Sequence, residues 1–523
     1  MKFSMYKKLL GIAAVATVMG TACKKQLYQG PISSTYSQEF WTSQGSVEQA
    51  AVTMYGQFRA NLRATPGGID QMEAAHFVFG DLTTGLFLPA GGDVFLNYGV
   101  ASPKFNFSYI PYWEGTLLNW SRFYQQIAQC NLILQNVPAM PASAFTSESV
   151  RQGYLAEARF MRAYAYFYMT RVWGDPVYVS NTYNDVDYGK IPPLARTPES
   201  QVLDSCLDDL RKAAPVLDFS GGDPAKTTRA NRGSVYALMA HVFAWKHQYD
   251  SAHYYCQQVI DHGGYSLEPM NSYTNIWAGM SSHESIFELP MLYNANDPNF
   301  KGGGDWAEAQ FNCFGTFLKG QIVDDKHSSC WIAPAGNDHL FEGVLFDTAT
   351  DLRYHAAFKY MPAGNGDLAG YMLTKYTRFA YGDASAKQYA YVNNDLVLLR
   401  LSDIYLLNAE ALGYLGDVAG AKTNLAFTED RAGISNYKAV TDAYSVIDEA
   451  VMERGRELAG EGTWFYDLVR TEPTQQWLEY IGYTADRVQP SQKGYYWPLD
   501  MASLFPYDNL LTQNIYWAAH SGK

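Results

Sequence analysis

The chain has 523 residues, a net charge of −13, 47% hydrophobic residues and 17% charged residues. That composition is globular rather than disordered, and the length exceeds what one hydrophobic core usually organises. The acidic balance argues against nucleic acid as a partner, because phosphate binding needs a basic surface. Aromatic residues are abundant, with 40 Tyr, 27 Phe and 12 Trp. Many belong in a core, but some fall in loops, where flat rings at a wet surface suit sugar rings and peptides.

The first residues have three parts in order. Lys2, Lys7 and Lys8 are positive, residues 9–20 form an apolar run too short to span a bilayer, and Gly20, Thr21 and Ala22 put small side chains before Cys23. That is the pattern of a secretory signal. A cysteine directly after the small residues makes it similar to a lipobox, with Gly20 where Leu is usual. The expectation is a signal peptide over 1–22, cleavage before Cys23, and lipid on Cys23, where two or three acyl chains anchor what one chain cannot. Lys24 replaces the Asp of an inner-membrane retention signal, and Lys24 with Lys25 departs from the acidic pattern of surface export. Residues 23–45 read as a polar tether. No later stretch is apolar enough over a sufficient length to be a transmembrane helix. Cys130, Cys206, Cys256, Cys313 and Cys330 are sparse, odd in number and without C-x-x-C spacing. They form neither a disulfide framework nor a zinc site, though a Cys313–Cys330 bridge stays open.

Helical periodicity starts at 46–63, where Val47, Ala51, Met54, Phe58 and Leu62 step by three or four. Residues 64–112 are rich in Gly, Pro, Asp and aromatics and read as a long loop, a kind that is usually functional inside a domain. Leu117, Trp120, Tyr124, Ile127, Asn131 and Leu134 mark a second helix ending near Pro138. A long helix follows over 147–173, stopped by Gly174 with Pro176 beyond, and another lies near 198–217. Segments 232–262 and 400–433 each read as helix, turn, helix. Aligning Ala240 with Ala409 also aligns Ala252 with Ala421, twelve residues on in both. Those are the two small positions where paired helices of a tetratricopeptide (TPR) repeat approach closely. Residues 264–395 are dominated by Gly, Asn, Asp and aromatics, with strand-like runs at 286–289 and 371–373. Residues 446–470 are helical again, and 471–523 read as aromatic-rich coil. The expected fold is all-α: a TPR-like scaffold of about four helix pairs over 46–263 and 396–470, with an irregular loop-rich layer containing a few short strands over 64–112 and 264–395.

The usual catalytic constellations are missing from the sequence. There is no H-E-x-x-H, no G-x-S-x-G, no phosphate loop and no dinucleotide fingerprint. His241, His247 and His253 do not share one helical face. Asp185-Val186-Asp187 and Asn393-Asn394-Asp395 are too incomplete to read as calcium loops. No cofactor, metal site or catalytic residue is expected.

Several segments together resemble the SusD/RagB family of outer-membrane nutrient-binding lipoproteins. They are Glu157-Ala158-Arg159-Phe160-Met161-Arg162-Ala163-Tyr164 with Trp173-Gly174-Asp175-Pro176-Val177, Glu284-Ser285-Ile286-Phe287-Glu288-Leu289, and Leu399-Arg400-Leu401-Ser402-Asp403-Ile404-Tyr405-Leu406-Leu407-Asn408-Ala409-Glu410-Ala411. To these add Glu453-Arg454-Gly455-Arg456-Glu457-Leu458-Ala459-Gly460-Glu461-Gly462, Phe465-Tyr466-Asp467-Leu468-Val469-Arg470, Tyr495-Tyr496-Trp497-Pro498-Leu499 and Leu511-Thr512-Gln513-Asn514. The tail departs from the family pattern, running from Asn514 into Ile515-Tyr516-Trp517, and Asp500 stands where Pro is usual. Arg159, Arg162, Glu453, Glu457, Glu461 and Arg470 read as ion pairs tying helices together, a device that specifies packing more than it adds stability.

The resemblance implies a cell-surface, non-catalytic protein that captures oligosaccharide and delivers it to a SusC-like TonB-dependent transporter. Peptide capture, as on the RagB side of the family, a glycosidase on a helical scaffold, and a pure docking protein are the alternatives. The family motifs do not mark the ligand site, which lies in variable loops. From 80–112 the candidates are Asp81, Phe87, Asp93, Phe95 and Tyr98; from 290–335 they are Tyr293, Trp306 and Trp331. Each is an aromatic or a carboxylate in a Gly-rich or polar context, and packing beneath a loop is the competing role for each.

Overall fold

A computed structural model describes residues 38–64, 74–90, 117–182, 193–279, 282–291, 312–318, 331–364, 368–383, 388–434, 440–500, 503–504 and 510–520. Helix α1 (Gln44–Arg63) begins where Ser43 accepts from the Ser46 amide and Ser46 returns a bond to the Ser43 amide. This reciprocal cap satisfies donors that a helix start leaves open. After the short helix α2 (Ala75–Gly80) come α3 (Ser121–Asn136) and α4 (Glu148–Trp173). Ser147 caps α4, and Gly174 ends it at a φ of 75° that favours glycine. Next are α5 (Glu199–Ala213), α6 (Arg232–Trp245) and α7 (Tyr249–His262). The turn between α6 and α7 passes through His247 at a φ of 54°, and Tyr249 already belongs to α7 rather than to the turn.

Beyond the short α8 (Leu352–Ala357), the scaffold resumes with α9 (Leu401–Tyr414), α10 (Val418–Arg431) and α11 (Ala443–Glu457). Asp417 caps α10 through the Gly420 amide, and Asp442 caps α11 through the Ser445 amide. Among the described residues four pairs form in chain order: α1 on α3, α4 on α5, α6 on α7, and α9 on α10. Successive pairs pack on one another, α3 on α4, α5 on α6 and α7 on α9, and α11 closes the array against α9 and α10. The architecture is the expected all-α scaffold. Helices α6 and α9 are buried nearly all round, and their few polar residues, among them His241, Asp403 and Glu410, are paired inside. Ala240, Ala252, Ala409 and Ala421 are all fully buried, in keeping with close approach within the two pairs.

Two differences from the sequence reading concern the end of the chain. The stretch 446–470 is not one helical run, because Gly460 and Gly462 take φ of 74° and 76°, and a separate helix α12 (Trp464–Arg470) follows. The expected coil over 471–523 holds three short helices: α13 (Glu472–Tyr480), α14 (Ala485–Val488) and α15 (Ile515–His520). No described helix is long and apolar enough to cross a membrane.

The loop-rich layer carries short antiparallel strands. One sheet has the order β1-β3-β5-β4, from β1 (Leu88–Pro89), β3 (Trp331–Pro334), β4 (Phe358–Met361) and β5 (Gly370–Leu373). A second ribbon pairs β2 (Ser285–Leu289) with β8 (Leu396–Arg400), and a third pairs β6 (Phe379–Asp383) with β7 (Gln388–Val392). Both β2 and β8 are buried along their whole length. Because β8 runs directly into α9, with Arg400 as the cap residue, this ribbon joins the layer to the scaffold.

Candidate functional site

The ligand loops expected from the sequence come from two distant stretches, and the structure brings them together. Leu88 pairs with Ile332 and Pro89 with Trp331 across β1 and β3. Beneath that ladder lies an aromatic floor. The Phe317 ring sits 4.8 Å from Phe87 and 4.9 Å from Phe77, and Phe314 stacks on Tyr376 at 4.3 Å. The Tyr376 hydroxyl donates to the Gly460 carbonyl at 2.8 Å, so the floor is tied to the turn between α11 and α12.

Three of the sequence candidates are inside this packing. Phe87 and Trp331 are 0% and 1% exposed and support the loops from below. Asp81 is also buried and accepts from the amides of Gly460 at 3.1 Å and Gly462 at 2.6 Å. Burial pushes its carboxyl up to about 8, against the pull of those two amides and of Lys375. Cys23, Asp93, Phe95, Tyr98, Tyr293 and Trp306 lie outside the described residues, as do Asp185-Val186-Asp187 and the Cys313 and Cys330 thiols. Asn394 and Asp395 serve the fold: Asn394 bonds the Trp277 carbonyl and the Arg378 amide, and Asp395 accepts from the Met291 amide.

The sequence reading passed over a tyrosine cluster on the same sheet. Tyr371 of β5 donates to Glu342 at 2.7 Å, its ring lies 5.0 Å from Tyr354, and Tyr360 of β4 packs edge-on at 5.4 Å. Tyr360 is 52% exposed. Glu342 sits on a single π-helical turn, Phe341–Leu345, a distortion frequent at functional sites. Neither strand alternates, β4 being buried only at Phe358 and β5 along its whole length, so periodicity gave no signal for the cluster.

Under this layer runs a buried ionic frame drawn in part from the family-like segments. Arg400 reaches Glu284 at 2.7 Å, Glu457 at 2.6 Å and Glu461 at 2.8 Å. Arg353 bonds Glu453 at 2.5 Å, Glu457 at 3.0 Å and Asp351 at 2.9 Å. Arg431 pairs with Glu284 and Glu457, and Lys375 with Glu461 at 2.6 Å. Burial alone would raise Glu457, but Arg431, Arg400 and Arg353 overcome it and hold the carboxyl well below its usual range. A second chain ties the helices: His241 to Asp403 at 2.8 Å, Asp403 to Arg454 at 2.6 Å, Arg454 to Asp467 at 2.7 Å, then Asp467 to Arg470 and Arg470 to Glu410. Arg162 joins α4 to α5 through Asp209 at 2.7 Å. Arg159, expected to do the same, forms no ion pair with a described residue and is only half-buried. His76 is neutral, since burial lowers it to about 3. Its ring nitrogens meet the Tyr168 hydroxyl at 3.2 Å and the Glu461 carbonyl at 3.0 Å.

One trio of carboxylates, Glu429, Glu449 and Glu453, places its oxygens within 4.8 Å of one another. Arg456 holds Glu449 and Glu453, and Arg353 also holds Glu453. Arginine and a proton therefore balance the trio: burial, with Glu453 and Glu449 alongside, pushes Glu429 up to about 7. Folded Glu429 keeps a proton that the unfolded chain has released, so stability falls as pH rises from 4.5 towards about 7 and levels off beyond. Glu429→Gln is expected to remove that slope and to gain about 1 kcal/mol at pH 8. Urea denaturation at pH 5 and pH 8 checks this; parallel curves for the two proteins would refute it.

Comparison with known proteins agrees with this geometry. The family described as SusD family matches residues 348–517, which contain most of the ionic frame, and the one described as "Starch-binding associating with outer membrane" matches residues 104–244. The chain belongs to the SusD-like family. A SusD-like protein of Bacteroides ovatus is 24% identical, covering 92% of this chain and 84% of that protein. The crystal structure of a SusD homolog from Bacteroides thetaiotaomicron superposes with a TM-score of 0.72 at 24% identity, covering 91% of this chain and 98% of the other. A laminarin-binding SusD-like protein superposes with a TM-score of 0.67 at 21% identity, covering 90% and 99%. The SusD-like fold thus spans the scaffold and the loop layer together.

Proposed function

We propose that this chain is a lipid-anchored nutrient-binding protein of the outer membrane that captures an oligosaccharide and delivers it, uncleaved, to a SusC-like TonB-dependent transporter. The observation that carries the reading is the SusD-like fold itself, in which Leu88–Pro89 and Trp331–Pro334, from the two stretches expected to hold the ligand loops, pair over one aromatic floor. The floor is buried; aromatic rings on the loops it roots would meet the sugar rings, and a firm root lowers the ordering penalty of binding a flexible glycan. The laminarin-binding relative of the same fold supports a glycan as the ligand class. In this reading Cys23 carries the lipid and Asp93, Phe95, Tyr98, Tyr293 and Trp306 supply contacts from the loops. The leash is residues 24–37 rather than the whole of 24–45, because Phe40 and Trp41 are buried in the core and Gln44 already begins α1. Asp81, Phe87 and Trp331 brace those loops.

Affinity electrophoresis against laminarin, starch and other soluble glycans tests the reading. Retardation by at least one glycan without release of reducing sugar is expected. No retardation by any glycan, with binding to peptides instead, would overturn it. The double variant Tyr293→Ala with Trp306→Ala is expected to weaken the retained glycan by about 10-fold or more, each stacking ring contributing on the order of 1 kcal/mol, with an unchanged Tm. Calorimetry with the same glycan measures the loss. Trp331 is left intact in this test because its truncation would open a cavity in the core.

A further inference from the structure

Where α4, α6, α9 and α12 converge there is a narrow cavity of about 20 Å³ lined by Arg171, His241, Thr463, Asp403, Arg454 and Asp467. That is space for a single water-sized particle. The two carboxylates on its wall are committed: Asp403 to His241 and Arg454, and Asp467 to Arg454 and Arg470. Arg171 is different. Its guanidinium lies 4.4 Å from the Phe167 ring and 4.4 Å from the Tyr466 ring, so aromatic rings rather than acceptors pack against it. Its Nε is buried without an acceptor, and the neighbouring Thr463 Oγ is buried and equally unmet. Aromatic faces stabilise the charge, but they do not accept the N–H bonds, and a buried donor without an acceptor is costly. His241 spends Nε2 on Asp403, and no described residue bonds its Nδ1.

We infer that this cavity is a binding site for a single-atom anion, with chloride as the physiological halide, held by the edge of Arg171 and by the Thr463 hydroxyl. The cavity is too small for a carboxylate or a phosphate, so the charge that completes Arg171 comes from a monatomic ion. Its place matters because Thr463 follows the Gly460–Gly462 turn, whose amides hold Asp81 at the root of the ligand loops. Anion binding would tie α4 to that turn and couple halide concentration to the firmness of the loop root.

Crystals of the full mature chain soaked in bromide test this through anomalous scattering. A bromide peak against the Arg171 edge and the Thr463 hydroxyl is expected, and water at that position would overturn the inference. In solution, Tm is expected to rise by a few degrees, saturably, when sodium gluconate is replaced by sodium chloride at constant ionic strength. Arg171→Gln should abolish the chloride-dependent part, and an unchanged chloride response in that variant would also overturn the inference. Should Arg171→Gln not fold, Thr463→Val takes its place: a weakened halide response supports the site and an unchanged one overturns it.

Discussion

Glu457→Gln is expected to destabilise the protein by about 3–5 kcal/mol, the loss typical of breaking a buried charge pair from one side. Glu457 is 0% exposed and is shared by three guanidinium groups, those of Arg353, Arg400 and Arg431. Glutamine has nearly the same shape but no charge, and its amide nitrogen is a donor among donors. The three cations would keep Glu284, Glu453, Glu461 and Asp351 as partners while losing the carboxylate at their centre. The damage should be global, because those cations come from α8, from the β8–α9 junction and from the end of α10. The midpoint of urea unfolding should fall with an unchanged slope, the sign of lost stability in an intact native state. The exposed pair of Lys212 and Asp208, 56% and 60% exposed, is the matched control. Breaking it should change little, since surface pairs are weak. A loss for Glu457→Gln no larger than for that control would mean that the frame adds nothing to the fold.

The contrast between those two pairs also explains what was legible in the sequence. Helices α1, α3, α4, α6, α7, α9 and α10 announce themselves by apolar residues every three or four positions, because each presents a stripe or a whole surface to the core. The alanines at 240, 252, 409 and 421 were readable as close crossings because small residues recurred at one spacing in two copies. The charged residues of the family-like segments were readable as ion pairs, but their partners were not: Arg353, Lys375 and Arg431 lie outside those segments and arrive by tertiary folding. Trp331 shows the opposite difficulty. An aromatic residue in a polar, glycine-rich stretch suggested an exposed ring. Yet all four residues of β3 are buried, so the strand lacks the alternation that would have revealed it. Asp81 was read as a ligand carboxylate for the same reason, and nothing local indicates that it bonds amides 379 and 381 positions away.

That long-range contact sets the second large effect, expected for Gly80→Ala. A Cβ at Gly80 would stand 2.0 Å from the carbonyl oxygen of Gly462. Both partners are main chain, so no side chain is there to swing away. The turn on the far side is equally constrained: Gly462 has a φ of 76°, and a Cβ on it would meet His76 Nε2 at 2.2 Å. Helix α2 and the 460–462 turn therefore touch backbone to backbone, and Asp81 clips them together one residue beyond Gly80. A methyl group must push the two apart, lengthening the hydrogen bonds that the Gly460 and Gly462 amides donate to Asp81. Overpacking and loss of those bonds together should reduce stability by about 3–5 kcal/mol. The same displacement reaches β1, since Asp81 precedes the segment that carries Phe87, Leu88 and Pro89 to their pairing with β3. Gly80→Ala is thus expected to weaken glycan binding as well as folding, although residue 80 presents no side chain to a ligand. Calorimetry at a temperature where the variant is still folded separates the two effects. Undiminished glycan affinity there would show that the loop root does not set the binding face, while Glu457→Gln would still report on the frame beneath it.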